Sequence, residues 1–495
     1  MIVKTCTALA CMAALSPWGP AMAQTNSASG GWGSAEAQVL VPSAAPARAG
    51  VAPSAPSSVA VSASTLPAGV TAPALTLLEA YRVALVQDAL VRTARAGADA
   101  RRERIPQARS QLLPNIAAQA GANRNDLIRT APGLGGAPVT NEQFYDSTTR
   151  TIVLRQALFR PALLADYRQA KAQVADANAS LDKEVQNLAT RVTSAYLEAL
   201  LAEDQRALVL QQKATYTTQL EAAKRRFSGG SGVRTDIDEA QARLDLAIAH
   251  ELEARQNVEY THRQLQVIIN QPVTRLAPVD ETRLRQAPPI GSLEDWRERA
   301  ELTSPELISL KAQRDAARAE YDKAQAGHLP TLDGIVQWNM SRSDSVNTVG
   351  TSYNSKSVGV QLNVPIYSGG LVSSQIRQTV ADIERLEQSL EATRRDLGLR
   401  VEKEYRGVTE GVASVIALET AVRSAEVMVT SNRRSYEGGA RTVVDVLNAE
   451  EQRLLALRDL ANARYSHMLS RIRLKALAGV ADEAAIAELS NWLKP

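Results

Sequence analysis

The sequence predicts an α+β membrane chain in which pairs of bilayer-length strands alternate with long helical hairpins. Three observations carry that reading. The segment from about Leu75 to Lys475 is written twice. Two short segments in each copy alternate apolar and polar residues, and longer segments step by three and four, the periods of strand and helix. One unit used twice therefore sets the architecture before any single residue is interpreted.

The duplication is read from landmarks that recur in the same order. Leu112-Leu113-Pro114-Asn115-Ile116 returns as His328-Leu329-Pro330-Thr331-Leu332, and Leu154-Arg155-Gln156-Ala157-Leu158-Phe159 as Leu362-Asn363-Val364-Pro365-Ile366-Tyr367. Phe227-Ser228-Gly229-Gly230, followed by Thr235-Asp236, returns as Tyr436-Glu437-Gly438-Gly439, followed by Val444-Asp445. The offsets drift between roughly 208 and 217 residues, as loops do in diverging tandem copies. The copies are assigned to residues 75–292 and 293–478, leaving 479–495 as a C-terminal segment.

Ahead of the repeats, residues 1–23 read as an export signal. Lys4 supplies the positive charge, Cys6 to Leu15 the apolar stretch and Ala21-Met22-Ala23 the small-x-small cleavage site. A disordered start is the alternative, and it leaves that Ala-x-Ala ending unexplained. Both cysteines, Cys6 and Cys11, fall inside this segment, so the mature chain has no disulfide or thiolate metal site. Cys11 sits too early in the apolar stretch to be a lipidation cysteine. Residues 24–74 are Ala, Pro, Ser, Gly and Val with almost no charge, a tail that cannot bury a core and is expected to be disordered. No later stretch reaches the roughly 18 apolar residues of a transmembrane helix. An exported chain of this kind is periplasmic, secreted or built into an outer-membrane barrel.

Each copy opens with an amphipathic helix, expected from Leu75 to about Leu113 and from Leu293 to about Leu329, and the Leu-Pro pair ends each. The strands follow. In the second copy Val336, Trp338 and Met340 face one way and Gln337, Asn339 and Ser341 the other, and the returning strand sets Val358, Val360, Leu362 and Val364 against Gly359, Gln361 and Asn363. Ser343 to Ser357 is the loop between them. The first copy shows this more weakly, with Ile116, Ala118 and Ala120, a Gly/Pro-rich loop expected from Thr130 to Thr149, then Ile152 and Leu154. About ten residues, tilted, cross a bilayer as a strand. A small periplasmic β-sandwich is the competing reading, and it needs more strands to cover its edges. Four strands cannot close a barrel alone, so the count implies oligomerisation.

After each strand pair the helical period runs for roughly 65 residues, near 100 Å of helix. Tyr167, Ala170, Val174, Ala177 and Leu181 begin one such stripe, and Leu390, Leu397, Val401 and Val408 lie on the other, with coiled-coil-like stepping. Each breaks at a Gly-containing turn and returns, from about Asp236 to Ile269 and from Asp445 to Ala478. Aromatic residues are only 4% of the chain, with three Phe, which Ala-rich seams between close-packed helices explain.

The turns carry the most specific local chemistry. Glycines stop the outgoing helix, and Thr235 or Asp236 in the first turn and Thr442 in the second are the expected caps of the return helices. Asp445 is then left on the helix face, four residues from Arg441. Plain helix punctuation with one intrahelical pair and a ring of carboxylates around an oligomer axis both fit. Nothing suggests catalysis or a cofactor. His250, His262, His328 and His467 are scattered without a completing ligand set, and Gly229, Gly230 and Gly232 join two helices instead of opening from a strand. A net charge of +3 with 22% charged residues, both signs interleaved, argues against nucleic-acid binding.

With these segments in order, the chain resembles the TolC family of outer-membrane channel proteins from Leu75 to Pro495. Gly327-His328-Leu329-Pro330-Thr331-Leu332-Asp333, Val364-Pro365-Ile366-Tyr367-Ser368-Gly369-Gly370 and Ala461-Asn462-Ala463-Arg464-Tyr465 are similar to the type I secretion branch. The resemblance implies a homotrimer in the cell outer membrane, in which three chains give four strands each to one twelve-stranded transmembrane barrel. A long periplasmic α-helical barrel would continue it, with residues 479–495 at its equator. The expected function is an exit duct for type I protein secretion, docked on an inner-membrane ABC transporter and a periplasmic adaptor. Service to a multidrug efflux pump, with a proton-driven transporter, is the alternative. A trimeric coiled-coil scaffold that does not conduct is the rival of another class. The resemblance also implies roles at the periplasmic tip. Gly230, Thr235, Asp236, Gly439 and Thr442 belong to turns where adaptor hairpins dock. Tyr436 and Arg441 match a polar network that restrains the inner hairpin, and Asp445 matches one of two acidic positions ringing the entrance. The second acidic position is Asn448 here, which halves the acidic constriction.

Overall fold

In a computed structural model the described residues are 74–132, 135–280, 282–283 and 288–494. The segments expected to be an export signal and a disordered tail lie, up to residue 73, outside them.

Each leading helix is broken where one continuous helix is expected. In the first copy α1 (Leu77–Gln87), α2 (Ala89–Arg102) and α3 (Arg104–Ser110) follow one another. Asp88 is extended at the break, and its carboxylate caps the next helix by accepting from the Val91 N–H while Arg191 holds it at 3.0 Å. In the second copy the break lies at Ser304, between α6 (Leu293–Thr303) and α7 (Pro305–Gln325). Pro305 pushes Ser304 out of the α region. Both opening pieces are 11 residues long and start with a capping box, Thr76 with Glu79 and Ser292 with Asp295. The apolar period continues across both breaks, which hides them from a periodicity argument.

The strands β1 (Asn115–Pro132), β2 (Pro138–Phe159), β3 (Thr331–Arg342) and β4 (Ser352–Asn363) form one antiparallel sheet in that order. The loop expected at residues 130–149 is largely strand, because β1 and β2 pair all the way out to Pro132 opposite Pro138. This ribbon mixes polar and apolar residues on both faces. Ile128 and Phe144 share a face with Arg124 and Asp146, which pair at 3.3 Å, and Leu127 and Val139 lie on the other. Thr130 is bonded to Thr140 at 2.9 Å. Without apolar alternation, only backbone pairing marks it as strand. Across the shared part of the sheet the register lines up Ile116, Leu154, Val336 and Val358 on one face. The other face carries Gln119, Thr151, Asn339 and Ser355, and Thr151 Oγ1 donates to Asn339 Oδ1 at 2.8 Å. Within one chain Val358 is 82% exposed, and β1 and β4 each end the sheet.

The long helices are α4 (Pro161–Ser228, 68 residues) and α8 (Leu371–Glu437, 67 residues), each about 100 Å long. They return as α5 (Arg234–Ile269) and α9 (Val443–Leu477), and α10 (Glu483–Ser490) follows. Buried Ala170, Ala189, Ala195, Ala199 and Ala202 on α4 supply the small-residue seam expected from the shortage of rings. Gly407 and Gly411 do the same between α8 and α9, since a Cβ at Gly411 would sit 3.0 Å from His467 Nδ1. The main core gathers midway along α4, where Leu188, Val192, Tyr196 and Leu197 meet Leu77 and Ala80 of α1, Leu265 of α5, Ile472 of α9 and Ile486 of α10. Each such buried aliphatic side chain contributes on the order of 1.5–3 kcal/mol. The Tyr196 hydroxyl joins three segments there, donating to the Leu75 carbonyl at 2.8 Å and accepting from the Ala277 N–H at 2.9 Å. A second cluster of Trp296, Leu307, Leu397, Val401 and Leu474 anchors the other copy. The hairpin ends lie far along the helices from either cluster, so their geometry depends on local chemistry.

Candidate functional site at the hairpin tips

Both outgoing helices stop in a Schellman motif. In the first turn Gly230 takes φ +77°, its N–H donates to the Phe227 carbonyl and the Ser231 N–H to that of Arg226. In the second Gly439 takes φ +75°, with Gly439 N–H to Tyr436 and Ala440 N–H to Ser435. The left-handed position favours glycine, and the two bonds satisfy carbonyls that the helix end leaves free.

The return helices start differently. In the second turn Thr442 is the cap: its hydroxyl accepts from the Asp445 N–H, and Asp445 Oδ2 accepts from the Thr442 N–H at 2.9 Å. Asp445 is therefore the return half of a capping box as well as the partner of Arg441, in keeping with the helix-punctuation reading. Thr442-x-x-Asp445 is the capping pattern with Asp in place of Glu or Gln. The Thr442 N–H, then the Thr442 hydroxyl and Arg441, hold the Asp445 carboxyl below its ordinary value. Arg441 reaches Asp445 Oδ1 at 3.4 Å. In the first turn the cap position is Val233, which has no capping side chain. Thr235 and Asp236, the expected caps, lie inside the first turn of α5, and the Asp236 N–H goes to the Val233 carbonyl at 3.3 Å. The helix starts two residues earlier than its polar residues suggest.

The tips are tied to each other by residues that the sequence does not single out. Arg226 of α4 stacks over the Tyr436 ring at 4.3 Å. Tyr436 packs beside a buried cluster of Tyr216, Ala247, Val443 and Leu447, which joins the two hairpins. Arg243 of α5 donates to Asn448 Oδ1 at 3.1 Å and to Glu451 at 2.6 Å while holding Glu239. Asn448 is thus a ligand of the first hairpin's arginine. Buried Glu450 lies between Arg433 at 2.9 Å and Arg453 at 3.3 Å. Arg441, Thr442 and Asp445 come together in one network, whereas Tyr436 and Asn448 each engage the first hairpin separately. Arg226 and Arg243 escaped notice because their partners lie more than 200 residues away in sequence. Among the described residues no group of three His, Cys, Asp or Glu is placed to hold a metal ion. No helix among them is long and apolar enough to cross a membrane.

Bilayer-length strands with open outer edges, and hairpins near 100 Å long that end in linked polar tips, define one stave of an oligomeric channel. The chain belongs to the outer membrane efflux protein family, whose match covers residues 80–271 and 296–480, one block in each repeat. It is 34% identical over 416 residues to the alkaline protease secretion protein AprF of Pseudomonas aeruginosa, spanning 83% of this chain and 86% of AprF. It is 29% identical to the proteases secretion protein PrtF of Dickeya chrysanthemi, over 86% of this chain and 93% of PrtF. To the outer membrane protein TolC of Vibrio cholerae it is 31% identical, over 87% and 96%. Among solved structures it is similar in fold to CusC, with a TM-score of 0.71 at 14% identity over 81% of this chain and 92% of that one. VceC of Vibrio cholerae matches with a TM-score of 0.70 at 17% identity, over 82% and 97%. Three chains complete the twelve-stranded barrel in the outer membrane, and the helices form the periplasmic tunnel. The apolar face of the sheet is the lipid side and the polar face the lumen.

Proposed function

We propose that this chain is the outer-membrane exit duct of a type I protein secretion system, which receives cargo from an inner-membrane ABC transporter through a periplasmic adaptor. The observation that carries this reading is the similarity to AprF and PrtF over more than four fifths of each chain, both relatives being named for protease secretion. In Pseudomonas aeruginosa cells lacking AprF, this chain is expected to restore alkaline protease to the medium. Restored resistance to toxic small molecules without protease export would overturn the assignment in favour of an efflux pump, the role for which the matching family is named. A purified trimer that never conducts in planar bilayers would support the scaffold reading instead.

The tips are assigned as the docking end and the entrance. The turns at Gly230, Thr235, Asp236, Gly439 and Thr442 present the surface for adaptor hairpins, and Tyr436, Arg441, Asp445 and Asn448 restrain and line the entrance. With Asn448 neutral, the three Asp445 carboxylates form a single ring, which binds cations more weakly than a double ring. Their engagement with Thr442 and Arg441 weakens it further. Trivalent cations are expected to block single-channel current through the native trimer and to lose most of that block in Asp445→Ala. Identical block in both would rule the ring out.

A further inference from the structure

We infer that the outer rim of the barrel carries a built site for phosphate groups of outer-leaflet lipid, formed by Arg150, Arg342 and Lys356 on the lipid face. The inference rests on the outer-membrane barrel reading and concerns a surface far from the tips.

The register places these three cations together. Arg150 of β2 lies beside Met340 of β3, one same-face row outward from Ile152, Trp338 and Lys356 of β4. Arg342 of β3 lies one row further out, beside Thr148 and Ser352. Adjacent strands are about 4.8 Å apart and same-face residues about 6.6 Å apart along a strand, so the Arg150 and Arg342 backbones are neighbours on the diagonal. Lys356 lies two strands from Arg150. All three side chains are exposed, and among the described residues none of them pairs with a carboxylate. The nearest acid on this face, Asp146, is taken by Arg124 at 3.3 Å. Lys356 Nζ lies 5.7 Å from the centre of the Trp338 ring, and the indole N–H donates to Asn354 at 2.8 Å.

Depth decides what these charges meet. Inward of them the same face is apolar, with Leu332 and Leu362, then Val360, then Ile116, Leu154, Val336 and Val358. From Leu332 to Arg342 the strand advances ~33 Å, which at a tilt of about 40° is ~25 Å of height, the thickness of an outer-membrane apolar band. The helices leave from the Leu332 end, so Arg342 sits at the outer edge. The Arg150 and Lys356 backbones lie about 5 and 10 Å below it, and their long side chains are able to reach up to that level. Trp338 marks the interface there, as aromatic belts do. A lone exposed arginine at such a depth would be ordinary. Three unneutralised cations on three successive rows, ringed by the indole and by Asn354, make a cradle for an oxyanion held at headgroup height.

The test uses the intact trimer in phosphatidylcholine vesicles with and without added lipid A, with inorganic phosphate as a third arm. Added lipid A is expected to raise the Tm of the trimer, and inorganic phosphate is not. The triple variant Arg150→Ser, Arg342→Ser, Lys356→Ser is expected to bind lipid A on the order of 100-fold more weakly, at about fivefold per cation removed. Its Tm in phosphatidylcholine alone and its single-channel conductance stay unchanged, which separates loss of this site from failure of the barrel. Arg150→Lys with Arg342→Lys retains the lipid A shift. An equal shift in the triple variant overturns the site. An equal shift with inorganic phosphate overturns the lipid as its occupant.

Discussion

Where α4 turns into α5 and where α8 turns into α9, the same glycine geometry ends the outgoing helix, yet the return helices begin on different residues. Gly230 and Gly439 occupy the same left-handed position with the same pair of backbone bonds. Beyond that point the first turn has Gly232 and Val233 where the second has Arg441 and Thr442. A Cβ at Gly232 would lie 2.9 Å from the Phe227 backbone nitrogen, so this turn is tight and must leave that position bare. The second turn is more open there, holds an arginine, and recruits Thr442 and Asp445 into a polar network. The helix stop has been kept in both copies, while the cap that could carry charge has been kept in one.

Five substitutions and one titration test this contrast. The largest effect is expected from Gly232→Arg, which forces a Cβ against backbone that cannot yield and costs about 1–3 kcal/mol. The reciprocal Arg441→Gly removes one exposed ion pair and costs only a few tenths of a kcal/mol. Hydrogen exchange of the two turns reads both, and equal losses would show that the turns do not differ in tightness. Next is Thr442→Val, which copies the first turn's residue and costs about 1 kcal/mol in lost capping. Val233→Thr should stabilise the first hairpin by at most about 1 kcal/mol. No gain there would mean that the tight turn holds the new hydroxyl out of reach of the helix amides.

Smaller again is Tyr436→Leu, which keeps apolar volume but removes the stacking of Arg226, worth about 0.5–1 kcal/mol. It should loosen the link between hairpins more than either hairpin alone. The smallest effect is on pH dependence. The folded Asp445 carboxyl titrates below its ordinary 3.8, chiefly because the Thr442 N–H bonds to it. Its contribution is therefore complete above 3.8 and is lost as pH falls through the lower folded value. Hydrogen exchange at the second tip, corrected for intrinsic rates, should show an acid step that is missing in Asp445→Asn and from the native first tip.

Legibility in the sequence followed the range of the interaction. The long helices could be read because their apolar residues recur every three or four positions for more than 60 residues. The strands β3 and β4 could be read because one face is apolar and the other polar. The outer part of β1 and β2 could not, since both faces there mix polar and apolar residues and only cross-strand hydrogen bonds define it. The breaks at Asp88 and Ser304 were missed although a capping aspartate and a Ser-Pro pair stood in the sequence, because the apolar period masked them. At the tips Thr442 could be assigned from its place ahead of the helix. Arg243 could not be matched to Asn448, because nothing local relates residues on two separate hairpins.

The sequence by itself determined the duplicated plan, the strand pairs and the Gly stops, since each is set by residue period or by a backbone conformation that only certain residues adopt cheaply. Tertiary structure alone decided which charges meet. Arg226 reaches Tyr436, Arg243 reaches Asn448 and Glu451, and Arg191 reaches Asp88 only after helices distant in the chain lie side by side. It also decided the depth at which Arg150, Arg342 and Lys356 stand, because strand register, and not spacing in the sequence, puts them on one edge of one face. Periodicity is a property of a single segment, whereas an ion pair or a charged rim is a property of two or more segments brought into contact.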